Sequence, residues 1–178
     1  MSRAHLWGPL APLVLAAAAL VFGFDQTNKW WMLFVYDISA RQPVEITSFF
    51  ELVLVWNKGV SYGLFSGHQQ GFLIAMALVI SILLWVWASR SDNRLGAWAF
   101  GLIIGGALSN ALDRAVHAAV ADFFHFHWGS FSWYVFNIAD VAIVAGVALL
   151  LYESLIDRSA GPAAETPEFP ARHGQSDS

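Results

Sequence analysis

Four apolar blocks, at residues 10–24, 72–88, 95–112 and 138–156, constrain this chain more than any other feature. Each is about 15–19 residues long, close to the ~20 that a helix needs to cross a bilayer core. A soluble domain must cover its core with polar surface. Here 57% of the 178 residues are hydrophobic and only 12% are charged, against about 25% charged in average soluble chains. The blocks therefore predict an all-α membrane protein with four transmembrane helices. Block one follows Arg3 and contains Ala16 to Ala19, so it also fits a cleavable signal peptide. Its apolar run continues through Leu20, Val21 and Phe22, which fits a retained helix better.

The connections refine this outline. Residues 44–46 alternate in polarity, residues 49–56 are rich in β-branched and aromatic types, and Asn57-Lys58-Gly59 gives a turn signal. This predicts a small periplasmic β element between helices one and two. It lies outside the membrane core, because lipid leaves unpaired strand groups unsatisfied. Blocks two and three are joined by a short loop containing Arg90 and Arg94. Blocks three and four are joined by an aromatic-rich and histidine-rich connecting segment that carries Asp122. Residues 1–160 read as one integral membrane domain, and residues 161–178 as a disordered cytoplasmic tail. Tryptophans near the block ends fit aromatic belts at the interfaces.

With four spans, Arg3, Arg90, Arg94 and Arg158 share one face, while Lys29, Arg41, Lys58 and Arg114 share the other. The count alone does not decide between them. The short loop with Arg90 and Arg94, together with Arg3, favours the first face as cytoplasmic. Both termini are then expected in the cytoplasm.

Five polar clusters interrupt the apolar pattern. They are Asp25-Gln26-Thr27-Asn28-Lys29, the Asn57 to Gly63 stretch, Asn110-Ala111-Leu112-Asp113-Arg114, Asp122, and Asn137-Ile138-Ala139-Asp140. The ends of odd helices and the starts of even helices lie on the same face, so all five clusters meet opposite the Arg90–Arg94 loop. An aspartate at the bilayer centre costs about 2.5–3.5 kcal/mol on insertion scales, and less near the edge. Gathering several polar groups at one edge therefore calls for a function. Each cluster also has a plainer reading. Asn137 fits an N-cap with Asp140 three residues on. Asp25 and Lys29 fit a helix-end pair, Asp113 and Arg114 fit a surface ion pair, and Gly101, Gly105 and Ser109 fit a packing stripe.

The chain has no cysteine, which excludes disulfides, thiolate metal sites and a cysteine nucleophile. Its net charge of −4 gives no sign of nucleic-acid binding. His117, His125 and His127 lack the ligand set of a zinc enzyme, so no metal and no cofactor are expected. The chemistry that needs only carboxylates is an aspartic dyad. Two close carboxyls share one proton, one activating water and the other polarising a carbonyl. Asp122 and Asp140, on different segments, meet that requirement. A proton-coupled transporter using the same acids is the first rival, but its polar groups would spread through the membrane depth. A non-enzymatic scaffold is the second, and it has no need for two acids and three asparagines at one edge.

The same residues resemble lipoprotein signal peptidase, also called signal peptidase II. The resemblance runs from about Leu10 to Ile156. It rests on Asp25-Gln26-x-x-Lys29, then Asn57-x-Gly59 with Ser61-Tyr62, then Gly105-Gly106-Ala107-x-x-Asn110-x-x-Asp113-Arg114 with Asp122 beyond it, and finally Phe136-Asn137-x-Ala139-Asp140. It implies a multi-pass aspartic endopeptidase of the bacterial inner membrane. The enzyme would remove the signal peptide from diacylglyceryl-modified prolipoproteins, cutting before the lipidated cysteine at the periplasmic face. By this resemblance Asp122 and Asp140 are the catalytic pair. Asn57, Gly59, Asn110, Arg114 and Asn137 contact substrate, and Asp25, Lys29 and Asp113 are orienting or structural. Expected partners are prolipoprotein substrates and membrane lipids, with the chain as a monomer. The sequence departs from the family where Ser109 and Ala118 replace common glycines and Tyr62 replaces a common phenylalanine, which places local backbone flexibility in question.

Overall fold

A computed structural model describes residues 7–59 and 69–159. The Ser61-Tyr62 motif, Gly63, Arg3 and the tail from Gly161 lie outside the described residues. Block one forms α1 (Ala11–Trp30), which a π-helical turn at Trp31–Val35 extends before a short α2 (Ile38–Arg41). Strands β1 (Val44–Thr47) and β2 (Phe50–Asn57) follow. Then come α3 (Gln69–Ala88), α4 (Arg94–His117), β3 (Val120–Trp128), β4 (Phe131–Ser132) and α5 (Ile138–Ser159).

Among the described residues, three helices are long and apolar enough to cross a membrane. They are α3, α4 and the Ile138–Ile156 part of α5. The expected fourth, α1, is 20 residues long, but its last turns carry Asp25, Gln26 and Lys29. The apolar run ends at Phe24, and the helix continues because those polar side chains turn inward against α4.

The helical layer is organised around α4, which packs against α1, α3 and α5. Two-thirds of the α4 span is buried (67%), against 11% for α3 and 17% for α5. Large apolar side chains such as Ile82, Leu83, Val144 and Leu151 point outward. That is an inverted surface for water and an ordinary one for lipid. The chain is a membrane protein.

Small residues set the close helix contacts, as the packing stripe suggests. A Cβ on Gly101 would lie 2.5 Å from Ala17 Cβ, and one on Gly105 would lie 2.5 Å from the Ala18 carbonyl oxygen, both on α1. On the adjoining face, a Cβ on Gly106 would lie 2.6 Å from the Ala139 carbonyl oxygen of α5. These approaches leave no room for larger side chains.

The β element is larger than expected and differently built. It is a four-stranded antiparallel arrangement in the order β1-β2-β3-β4. Only β1 and β2 come from the segment between the first two apolar blocks; β3 and β4 come from the segment before α5. Val55, Trp56 and Asn57 of β2 pair with Asp122, Ala121 and Val120 of β3. Asp122 therefore sits on a paired strand and is 1% exposed, which corrects its reading as part of a plain connecting segment. A second buried cluster, with Met32, Ile38, Ala121 and Phe123 at its centre, joins the sheet to the end of α1.

Candidate active site

The sequence at the end of α1 places three polar groups on one face, since positions 25, 26 and 29 lie within one helical turn. Asp25 is fully buried and Lys29 is 3% exposed. Lys29 Nζ lies 2.7 Å from Asp25 Oδ2 and 2.8 Å from Asp113 Oδ2 on α4. It also donates to Asn110 Oδ1 at 3.0 Å. A lysine is buried in this way only when paired. Asp25 and Lys29 do pair at the end of α1, but the pair is buried and extends to α4; Asp113 pairs with Lys29 rather than forming a surface ion pair with Arg114.

This cluster holds three elements in place. Asp25 Oδ1 accepts the Ala139 N–H at 2.9 Å, at the start of α5. Asp113 Oδ2 accepts the Ala121 N–H at 3.2 Å, one residue before Asp122 on β3. Gln26 Nε2 reaches Asp113 Oδ1 at 2.8 Å and Ser109 Oγ at 2.9 Å. Ser109 Oγ in turn donates to Asp25 Oδ2 at 2.6 Å. Sequence spacing gives Gln26 no separate role and marks Ser109 only as a packing residue. The motif spacing puts Gln26 beside Asp25, and Ser109 is the polar end of the packing stripe. Those are the signals that point to them.

Asp122 and Asp140 meet through asparagines. The backbones of Phe124 and Phe136 exchange hydrogen bonds, with Phe136 N–H donating to Phe124 O at 3.1 Å and Phe124 N–H donating to Phe136 O at 2.9 Å. This fixes Asn137 alongside β3. Asn137 Oδ1 accepts the Asp140 N–H at 2.9 Å, and the Asn137 N–H donates to Asp140 Oδ2 at 3.2 Å. The expected helix cap is therefore present as a reciprocal pair. The cap also orients the amide: with Oδ1 committed to an N–H, Nδ2 must point the other way. It donates to Asp122 Oδ1 at 2.6 Å and to Asn110 Oδ1 at 3.1 Å.

Asn57 follows the same logic. Its Oδ1 accepts the Gly59 N–H at 2.9 Å and its Nδ2 donates to Asp122 Oδ2 at 3.0 Å. Gly59 has φ +85°, a conformation that costs glycine little and other residues more. That is why glycine suits the turn that aims Asn57. On α4, Asn110 Nδ2 donates to Asp140 Oδ1 at 2.9 Å. The two carboxylates thus accept donors from all three candidate asparagines, and Asn137 touches both.

Arg114 does not bind a carboxylate directly. One of its terminal nitrogens donates to the Asn110 carbonyl at 3.2 Å, and its buried Nε has no partner. It lines an apolar groove of about 310 Å³ between α3, α4 and α5, together with Leu73, Met76, Ala107, Asn110 and Asp140. A second groove of about 540 Å³ runs beside α5, lined by Asn57, Trp133, Tyr134, Phe136, Asp140 and Val144. Asp140 lines both grooves, so a long ligand lying across the site would pass its carboxyl.

The electrostatics of Asp122 follow from its surroundings. Burial pushes its carboxyl up to about 6 from an ordinary 3.8. The Asn57 donor opposes this, the Asp140 charge adds to it, and Asn137 and Lys29 oppose it more weakly. A carboxyl in that range can hold or release a proton near neutral pH.

His125 and His127 lie two residues apart on β3, with ring centroids 5.5 Å apart. His125 bridges strands, with Nδ1 2.7 Å from Glu51 Oε1 and Nε2 2.7 Å from Ser132 Oγ. Among the described residues, no group of three or more His, Cys, Asp and Glu side chains is placed to hold a metal ion.

Comparison with known proteins agrees with this architecture. The family model described as signal peptidase (SPase) II matches residues 17–156. The lipoprotein signal peptidase of Methylocella silvestris is 53% identical over 158 residues, covering 85% of this chain and 92% of the relative. That of Beijerinckia indica is 49% identical over 164 residues, covering 89% and 98%. A bacterial membrane enzyme structure obtained by the in meso method at 2.3 Å resolution superposes with a TM-score of 0.72 at 28% identity, covering 87% of this chain and 94% of that one. With the match spanning α1 through α5 and the relatives covered almost end to end, this chain belongs to the signal peptidase II family of membrane peptidases.

Proposed function

We propose that the chain is an aspartic endopeptidase that removes the signal peptide from diacylglyceryl-modified bacterial prolipoproteins, cutting before the lipidated cysteine. The observation that carries this reading is the junction of Asp122 and Asp140 through one asparagine, at an edge from which two apolar grooves lead away. The relatives named above are lipoprotein signal peptidases, and the grooves suit a substrate with acyl chains on one side of the scissile bond and an apolar signal peptide on the other.

In this reading one carboxyl is ionised and takes a proton from the attacking water. The other is protonated and donates to the scissile carbonyl oxygen. The tetrahedral intermediate then collapses as a proton passes to the departing amine. No cofactor is needed. Asn57, Gly59, Asn110, Arg114 and Asn137 form the substrate-facing wall, while Asp25, Lys29 and Asp113 hold that wall in place. The chain acts as a monomer in the bacterial inner membrane. Helix α1 serves as the fourth span, both termini are cytoplasmic and the site faces the periplasm. Residues 1–160 form the peptidase domain, with 161–178 as a cytoplasmic tail.

The test is mass spectrometry of the products from two versions of one prolipoprotein, with and without diacylglyceryl on the cysteine. The lipidated form should yield a new N-terminus at that cysteine, and globomycin should block its formation. Equal cleavage of both forms, or cleavage elsewhere, would reject the assigned specificity.

A further inference from the structure

We infer that Lys29 is a positioning residue that assigns the roles within the aspartate pair: through the Asn110 amide it holds Asp140 as the ionised member and leaves the shared proton on Asp122. This rests on the dyad reading and deepens it.

An ammonium group has three N–H donors and no acceptor. Lys29 spends all three, on Asp25, Asp113 and Asn110. The first two already pair its charge. The third goes to a neutral amide and fixes which way that amide faces. Asn110 Oδ1 is turned to the ammonium, so its Nδ2 is turned to Asp140 Oδ1. Asn137 Nδ2 donates to the same Asn110 oxygen and reinforces this orientation. Without a donor on Oδ1, the Asn110 amide could turn over and present its oxygen to Asp140, an arrangement that suits only a protonated carboxyl. A fixed donor favours the charged form instead.

The two carboxyls also stand at different kinds of backbone. Asp140 lies in the first turn of α5, where the helix dipole and the Asn137 N–H favour an anion. Asp122 lies on a strand, which has no comparable dipole. Its carboxyl accepts from two neutral amides, and neither of these donates under the direct hold of a cation. Among the described residues, the charged groups around the pair are Asp25 and Lys29 from α1 and Asp113 and Arg114 from α4. The groove wall contributed by α3 is apolar, formed by Leu73, Met76, Ala77 and Ile80. The charge of Lys29 also bears on Asp122, but its hydrogen bond fixes the amide that donates to Asp140.

The test is the pH profile of kcat/KM for the full-length protein in lipid, cleaving a lipidated prolipoprotein. Two variants are compared with the parent. Lys29→Met removes the anchor, and Asn110→Ala removes the relay while leaving the buried ion cluster whole, so it serves if Lys29→Met does not fold. In each folded variant the acidic limb should move to higher pH by about one unit, with the loss falling on kcat more than on KM. A purely structural role for Lys29 would lower thermal stability and leave the limb where it is. An acidic limb in Asn110→Ala that stays put, or moves to lower pH, overturns the assignment. Asp122→Asn and Asp140→Asn are run alongside. If either cleaves normally, the dyad itself fails and the assignment falls with it. If both are inactive while the limb is unmoved, only the assignment falls.

Discussion

Replacing Asp122 with asparagine should stabilise this protein progressively as pH rises, while removing a group proposed to be essential. The Asp122 carboxyl is pushed from 3.8 to about 6, chiefly by burial. The folded chain therefore binds more protons than the unfolded chain between those two values. A group of this sign contributes most below pH 3.8, and its contribution declines as pH rises through 6. A rise of about two units corresponds to about 3 kcal/mol. Asparagine carries no such titration, but it introduces a fixed cost. Both Asp122 oxygens now accept from amide nitrogens, Asn137 Nδ2 and Asn57 Nδ2. Those amides are held by the Asp140 and Gly59 N–H groups, so the new NH₂ faces a donor, at about 1–3 kcal/mol. At pH 4 the variant should be the less stable protein. By pH 7.5 it should be level with the parent or above it, with the difference between the two moving by about 3 kcal/mol. At roughly 2–4 °C per kcal/mol for a chain of this size, that is a swing of about 6–12 °C in relative Tm. Tryptophan fluorescence during heating in detergent follows it directly, because the chain has nine tryptophans. A gap that stays constant from pH 4 to 7.5 would refute the reasoning, since it would mean that Asp122 ionises as an ordinary exposed carboxyl does.

Three further outcomes are expected. Ala118 closes α4 with φ +55°, where an L side chain is strained and glycine is not; Ala118→Gly should raise stability by about 0.5–1 kcal/mol in thermal unfolding and leave cleavage unaltered. Gly105→Ala would put a methyl 2.5 Å from the Ala18 carbonyl oxygen, forcing α1 and α4 apart at a cost of about 1–3 kcal/mol, measurable as a lower Tm. Treatment with a strong chelator should leave the cleavage rate unchanged, because the proposed mechanism uses carboxyls alone; a loss restored by added divalent ions would contradict it.

Much of the site was legible because membranes punish polar residues. Asp25, Lys29, Asn110, Asp113, Asn137 and Asp140 stood out against apolar blocks, and the alternation of helix ends put them on one face. The structure brings those side chains within hydrogen-bond reach of one another. The sheet was only half legible. Residues 120–128 are rich in aromatics and Gly129-Ser130 marks a turn after them, but the strand that pairs along their length lies about 70 residues earlier. Spacing along a sequence does not reveal such long-range pairing. The true place of Asp122 was hidden for that reason. The length of α1 was hidden for another: Asp25 and Lys29 resemble a helix end when read singly, and only their partners on α4 explain why the helix runs on to Trp30. Ser109 looked like a packing residue because its stripe is one. Its hydroxyl contact with Asp25 depends on the helix approach that Gly101 and Gly105 permit.

The central claim is that Asp122 and Asp140 together perform the hydrolysis. The most direct measurement is single-turnover cleavage of a purified, diacylglyceryl-modified prolipoprotein by the parent chain, by Asp122→Asn and by Asp140→Asn, each first shown to be folded by its thermal transition. The expected result is a processed product from the parent and a rate at least about 10³-fold lower from each variant, as is usual when one member of a cooperating catalytic pair is removed. Parent-like cleavage by either folded variant would contradict the claim.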